Sequence, residues 1–295
     1  MATIGELVNV YNALVLDAFA EAPSVVNSGA ITKDTNDLDL RNLGETVNVL
    51  TPSPLQVYDF DGSSPVVRQD PQFTTKSVTL DKLKDSTFKV DSKFFDAANR
   101  YQTFEKFAKE AAKAILADIE SNIALQYASA GSSIGDGSTG WTADLVLQAR
   151  KALNDARAHE EDRYIICKDD TSFYQNGLIS AKDKVIILEN GTAKAVQDIP
   201  AYAGFNIIRS PYIKEVDSKN RDLALQKNGI LFVNRPLEEP KTNAVTVSIL
   251  QKNGVSMRTT YWYDPNLKQH LLSTDLLYTV ETIEPSLVIE VQTKP

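Results

Sequence analysis

The run Gly131-Ser132-Ser133-Ile134-Gly135 spells the G-x-S-x-G string of hydrolases that work through a serine nucleophile. That chemistry needs a strained strand-to-helix turn, which exposes the serine hydroxyl at the top of a sheet beside a histidine base. Here the string follows a long helical pattern and opens a Gly/Ser stretch ending at Gly140, so it reads as a linker. An α/β hydrolase using Ser133, with His270 downstream, is the remote alternative. Gly135-Asp136-Gly137-Ser138-Thr139-Gly140 matches G-x-G-x-x-G, but a dinucleotide site needs a preceding strand, and Asp136 would repel a phosphate.

Other strings are equally bare of context. Asp59-Phe60-Asp61-Gly62 lacks the third oxygen ligand and terminal glutamate of a calcium loop and reads as a β-turn. Asn190-Gly191-Thr192 fits a glycosylation string on a chain with no sign of a secretory route, and also reads as a turn. Glu160-Glu161-Asp162 and Asp169-Asp170 read as solvated edges of a strand. One cysteine, Cys167, and two histidines, His159 and His270, leave nothing for a zinc cluster or a disulfide framework. No catalytic residue, metal or cofactor is expected.

The 295 residues carry 39 acidic and 31 basic side chains, a net charge of −8. A protein that grips nucleic acid through phosphates needs a concentrated basic face, so direct binding is disfavoured. A container is not excluded, since its wall should not stick to the polymer inside. Ala18, Ala20 and Ala22 imitate a signal-cleavage site, but no basic segment precedes them, and Glu6, Asn9, Asn12 and Asp17 break the apolar run. No apolar stretch approaches the ~20 residues of a membrane span. A soluble cytoplasmic protein is expected.

The elements that would position these residues follow from periodicity. Ile4, Leu7, Val8, Tyr11, Leu14, Val15, Ala18 and Phe19 recur at helical steps, ended by Pro23. That helix either lies on its own core or serves as an arm on a neighbouring subunit. Residues 24–45 are polar and read as extended. From Thr46 to Val90 short strands alternate with Pro and Gly, with too few apolar residues to bury two faces. A β-arm of this kind needs a cover, which another chain would supply. Tyr101, Phe104, Ala108, Ala111, Ile115, Ile119 and Ile123 then form the stripe of a strut-like helix over about 92–128. A second helix, about Thr142 to Ala158, presents Leu145, Ala149 and Leu153. Strands are expected at 164–167, 185–188, 205–208 and 229–233, with a short helix near Thr171 to Gln175. The end is β-rich: 245–249, a tight Asn253-Gly254 turn, 255–263, and a closing strand with Leu287, Ile289 and Val291. The fold class is α+β.

This succession of parts resembles the tailed-bacteriophage major capsid proteins of the Hong Kong 97-type fold. Local wording is similar to the coat proteins of the short-tailed Salmonella-phage type in three places. These are Ala203-Gly204-Phe205 with Arg209-Ser210; Asp222 to Asn228 running on to Arg235-Pro236-Leu237; and Gly254 to Arg258 leading through Tyr261 and Asp264 to Leu276-Leu277-Tyr278. The resemblance implies an N-terminal arm with its amphipathic helix over 1–45 and an extended β-loop over 46–90. It implies a spine helix and second helix over 91–159, an axial α/β domain over 160–242, and periphery-domain strands over 243–295. It further implies pentamers and hexamers of an icosahedral shell in a virion, assembled in the bacterial cytoplasm around a scaffolding protein. A portal, double-stranded DNA inside and a decoration protein complete the set of partners. The chain has no room for the inserted domain of the Salmonella-type coat. A cellular nanocompartment shell of the encapsulin kind shares the fold and is the alternative.

Residues 74–93 place Lys76, Lys82, Lys84, Lys89 and Lys93 against Asp81, Asp85 and Asp91, a locally basic arm on an acidic protein. These lysines are the candidate inter-subunit contacts, reaching an acidic patch of a neighbouring copy.

Overall fold

The structure is a computed structural model that describes residues 4–34, 40–52, 55–59, 62, 68–70, 72–90, 100–168, 186–189, 192–195, 201–240, 245–266 and 268–295. The chain opens with α1 (Ile4–Glu21), then β1 (Thr32–Asp34), β2 (Thr46–Pro52), β3 (Phe73–Thr79) and β4 (Lys82–Val90). The long helix α2 (Arg100–Ala124) tightens into a 3-10 turn at Leu125–Ser129 and leads to β5 (Ser132–Ile134) and α3 (Ala143–Asp155). Next come β6 (Arg163–Cys167), β7 (Ile186–Glu189), β8 (Thr192–Ala195), β9 (Ala201–Tyr202), β10 (Phe205–Arg209), β11 (Glu215–Val216), β12 (Lys219–Gln226) and β13 (Ile230–Arg235). The chain closes with β14 (Val245–Lys252), β15 (Val255–Asp264), β16 (Gln269–Thr282) and β17 (Val288–Thr293).

Two sheets organise these elements. In the first, the order is β1-β13-β16-β15-β14, with β4 on the other edge of β16. The 14 residues of β16 make it the hub: 269–275 pair with β15, 277–282 with β13, and 270–278 with β4. In the second sheet the order is β5-β17-β12-β6-β10-β9, with β11 added to β12. Strands β2 and β3 form a separate hairpin, as do β7 and β8.

The stripe read in α1 is the face it buries: Val8, Tyr11, Val15, Leu16 and Phe19 are all inside. Each such side chain contributes about 1.5–3 kcal/mol when fully buried. They pack on α2 and across β14 and β15, so the helix lies on its own sheet and not outward as an arm. Asn12 sits among them, its amide donating to the carbonyls of Ser248 (2.9 Å) and Met257 (3.2 Å). In α2, Phe104, Ala108, Ala111, Ile115, Ile119 and Ile123 are buried as the periodicity requires. Small Ala108, Ala111 and Ala112 leave room for α1 to cross. Thr142 caps α3 by accepting from the Leu145 N–H at 3.2 Å. Asn253 (φ 51°) and Gly254 (φ 75°) close the β14–β15 hairpin in the two-residue turn expected of that dipeptide.

Four expectations need correction. The 131–140 stretch is not only a linker, because Ser132–Ile134 is a strand lying parallel to β17. The polar 24–45 segment docks through β1, parallel to β13, with Asp34 paired to buried Arg235 at 2.5 Å. Residues 82–90, expected in the extended loop, are β4, a full member of the first sheet. Leu55 to Tyr58, expected as a strand, lies outside regular structure. The described spine helix runs Arg100–Ala124, and 91–99 and the short helix near 171–175 lie outside the described residues. The sheets also cut across the sequence blocks: β13, from the 160–242 block, joins the first sheet, while β17, near the C-terminus, joins the second.

Candidate assembly surface

The hairpin of β2 and β3 stands out because, among the described residues, only its base is covered by the body. Directly opposed residues share a face, so Val47 with Val78 and Val49 with Lys76 lie on one side, and Asn48 with Ser77 and Leu50 with Thr75 on the other. Val47 and Val78, with Leu80 just beyond, pack against Leu231, Val233, Leu237 and Leu277 of the body. Farther out the arm is bare: Leu50 is 62%, Phe73 61%, Leu55 70% and Val57 98% exposed. Between the strand ends and the tip, the Gln69 side-chain amide pairs with the backbone of Gln56, accepting from its N–H at 2.8 Å and donating to its carbonyl at 2.5 Å. A hairpin with few charges and several large uncovered apolar side chains is built to be buried by something else.

The candidate lysines separate into different surroundings. Lys76 turns toward its own body, donating to the Thr282 carbonyl at 2.7 Å and standing 3.4 Å from the Glu281 carboxylate. Lys82 lies beside Asp81 at 3.1 Å. Lys84 pairs with Asp118 of α2 at 3.2 Å. Lys89 is exposed on β4 opposite Leu271. Lys93 lies outside the described residues.

Periodicity did not reveal a polar seam between α2 and β16. Asp118 and Asn122 on α2, and Gln126 in the 3-10 turn that extends it, meet Tyr278, Val280 and Thr282, two apart on the strand. The Tyr278 hydroxyl donates to Asp118 and accepts from the Asn122 amide at 2.7 Å. Gln126 donates to the Val280 carbonyl at 3.1 Å and accepts from the Thr282 hydroxyl at 3.0 Å. From Asp118 to Asn122 the helix rises about 6 Å, and two strand residues span about 6.7 Å, so this step of the helix keeps pace with the strand. Burial first, and the Asp118 hydrogen bond second, hold the Tyr278 phenol well above its usual range. The visible signal was the polar spacing 118–122–126, which was legible but had no known partner.

The strings that imitated enzymes take other roles. Ser133 sits inside β5, and its hydroxyl accepts from the Gln292 amide at 3.1 Å. His270 belongs to the other sheet, where the Tyr261 hydroxyl lies 2.8 Å from its Nδ1. The strand-to-helix turn that a serine nucleophile requires is therefore not formed at Ser133. Asp136 accepts from the Ser138 N–H (2.8 Å) and hydroxyl (2.6 Å) in a local turn. Gly135 has φ +79°, and a Cβ there would meet the Gln292 carbonyl oxygen at 2.4 Å, so backbone packing accounts for this glycine. Glu160, Glu161 and Asp162 are exposed ahead of β6, and Cys167 is buried at its end. Part of the 59–62 and 190–192 strings, and all of Asp169-Asp170, lie outside the described residues. Among the described residues no cluster of His, Cys, Asp or Glu could hold a metal, and no helix is long and apolar enough to cross a membrane.

No protein-family model and no curated protein sequence matches the chain. Solved structures do. A Mycobacterium phage Che8 structure is 18% identical with a TM-score of 0.52, covering 84% of each chain. The capsid of cyanophage P-SCSP1u is 12% identical with a TM-score of 0.54, covering 90% of this chain and 86% of that one. The encapsulin of the holo-SrpI complex from Synechococcus elongatus is 9% identical with a TM-score of 0.53, covering 90% and 85%. At these identities the likeness lies in the path of the backbone, and that path is the Hong Kong 97-type fold.

Proposed function

We propose that the chain is the major capsid protein of a tailed bacteriophage. In this reading it assembles into pentamers and hexamers of an icosahedral head around double-stranded DNA, and does no chemistry of its own. The observation that carries the reading is the hairpin arm: a segment with Leu50, Leu55, Val57 and Phe73 uncovered, on a fold similar to a cyanophage capsid. Such an arm is completed by a second copy, since burying it removes apolar surface from water that the monomer cannot remove. Net charge −8 suits a container that should not adhere to its contents. A scaffolding protein, a portal and a decoration protein are the expected partners. Lys89, exposed on β4, is the proposed contact to an acidic neighbour, whereas Lys82 and Lys84 would have to exchange Asp81 and Asp118 for it. Assembly in the host cytoplasm and residence in the virion belong to the same reading.

A nanocompartment shell is the second reading, favoured by an encapsulin likeness (TM-score 0.53) level with the phage ones. Electron microscopy of the chain expressed alone and with its genomic neighbours separates them. Closed shells holding DNA, built with a scaffold, support the phage head; shells holding a neighbouring enzyme support the compartment. A compact monomer at high concentration would sink both.

A further inference from the structure

Lys76 was expected to reach another copy, and its position in this chain points to a different task. Strands β3 and β4 run almost end to end, broken only at Leu80 and Asp81. β4 pairs with β16 until Lys82 meets Tyr278. Had the chain continued in that register, Val78 would face Thr282. It does not: β3 peels away from β16, and the hairpin leaves the body there. The carbonyls of Val280 and Thr282 fall on the same side of β16, as alternate residues of a strand do. Side chains, in place of a strand, satisfy them: Gln126 donates to Val280 and Lys76 to Thr282. The ammonium of Lys76 also reaches the Ile283 carbonyl at 3.4 Å and Glu281. Outward of Lys76, every described side chain of the arm is exposed.

We propose that Lys76 is a latch that sets the angle at which the arm leaves the body. At its base the arm is held by non-directional apolar contacts of Val47, Val78 and Leu80, which permit rocking about the point where the Thr279 hydroxyl donates to Asp81 at 2.9 Å. The ammonium fixes the direction, because it binds carbonyl oxygens at defined places on another element. Both Lys76 and Glu281 are about one-third to two-fifths exposed (34% and 40%), so water can replace the latch and its release is cheap. Copies in a closed shell meet neighbours at more than one angle, and a latch that opens at low cost lets one sequence serve each position. This use of the latch rests on the shell reading; the latch itself does not.

The test is amide hydrogen exchange on the unassembled full-length chain, comparing Lys76→Met, Lys76→Arg and the parent. Lys76→Met keeps the apolar stem and removes the charge. Exchange in 46–52 and 73–79, and cleavage after Arg68 by an arginine-specific protease, should rise roughly three- to tenfold. Exchange across β15 and β16 and the melting temperature should stay as in the parent, and Lys76→Arg should restore the slow rates. Unchanged exchange in the arm would overturn the latch, as would acceleration spread over the whole first sheet, which means a general loss of stability. If the latch behaves as expected and the parent forms no shell, the assembly reading fails and the latch stands.

Discussion

The indole N–H of Trp141 donates to the Asp222 carboxyl at 2.6 Å, with both side chains buried between α3 and the second sheet. The same carboxyl accepts from the Thr293 hydroxyl at 2.8 Å and the Lys168 N–H at 3.2 Å. One side chain on β12 therefore ties the segment after β5, the end of β6 and the C-terminal strand together. Replacing Asp222 with Ala takes their acceptor from the buried Trp141 and Thr293 donors, at a cost of about 3–5 kcal/mol. Trp141→Phe keeps most of the ring and removes one donor, costing about 1.5–3 kcal/mol. Urea denaturation of the unassembled chain measures both, and an Asp222→Ala chain as stable as the parent would contradict the network.

Asn12 anchors α1 to β14 and β15. Asn12→Leu would leave the Ser248 and Met257 carbonyls without this donor, although the helix stripe becomes more apolar. Destabilisation of about 1–3 kcal/mol is expected, with faster amide exchange confined first to α1. A more stable Asn12→Leu chain would mean that the stripe, and not the amide, holds the helix.

The arm variants Leu50→Glu and Phe73→Glu lie where the monomer makes no use of the side chain. Their unfolding free energy should stay within about 0.5 kcal/mol of the parent. Sedimentation should show subunits in place of shells. Normal shells from the double variant would remove the arm from the assembly surface.

Glu290 pairs with Arg221 at 2.6 Å, both nearly buried. Burial alone would raise its pKa, but hydrogen bonds from Ser133, Arg221 and Gln292 outweigh that and hold the carboxyl below the usual range. A depressed folded pKa contributes stability that is present above the unfolded value, near 4.5, and is lost as pH falls through the folded value. Urea midpoints taken from pH 6 down to pH 3 should therefore fall less steeply for Glu290→Gln than for the parent. Parallel curves would show that the pair does not couple to acid unfolding.

Periodicity served well wherever one face was buried. The stripes of α1, α2 and α3 and the Asn253-Gly254 turn were legible because each depends on neighbours a few residues apart. It failed at β12 and β16, the central strands. Lys219–Gln226 and Gln269–Thr282 have most of their residues buried, on both faces, so apolar and polar types do not alternate. Buried Asp222, Asn220, Thr274 and Asp275 break the apolar pattern further, since their partners come from distant segments. The lysines of the arm were visible as a group, but nothing local says that Lys76 folds inward while Lys89 stays exposed.

Residue types and spacing by themselves determined the helices, the tight turns, the absence of a continuous membrane-spanning run and the poverty of apolar cover on the arm. These are short-range properties, set by backbone preference and by which side chains leave water. Only the tertiary structure decided that β4 belongs to the body, that β13 and β17 exchange sheets, and that Asp118, Tyr278 and Lys84 meet. Pairing between strands far apart in the chain depends on closing long loops and on complementary faces, and no window of sequence contains both partners.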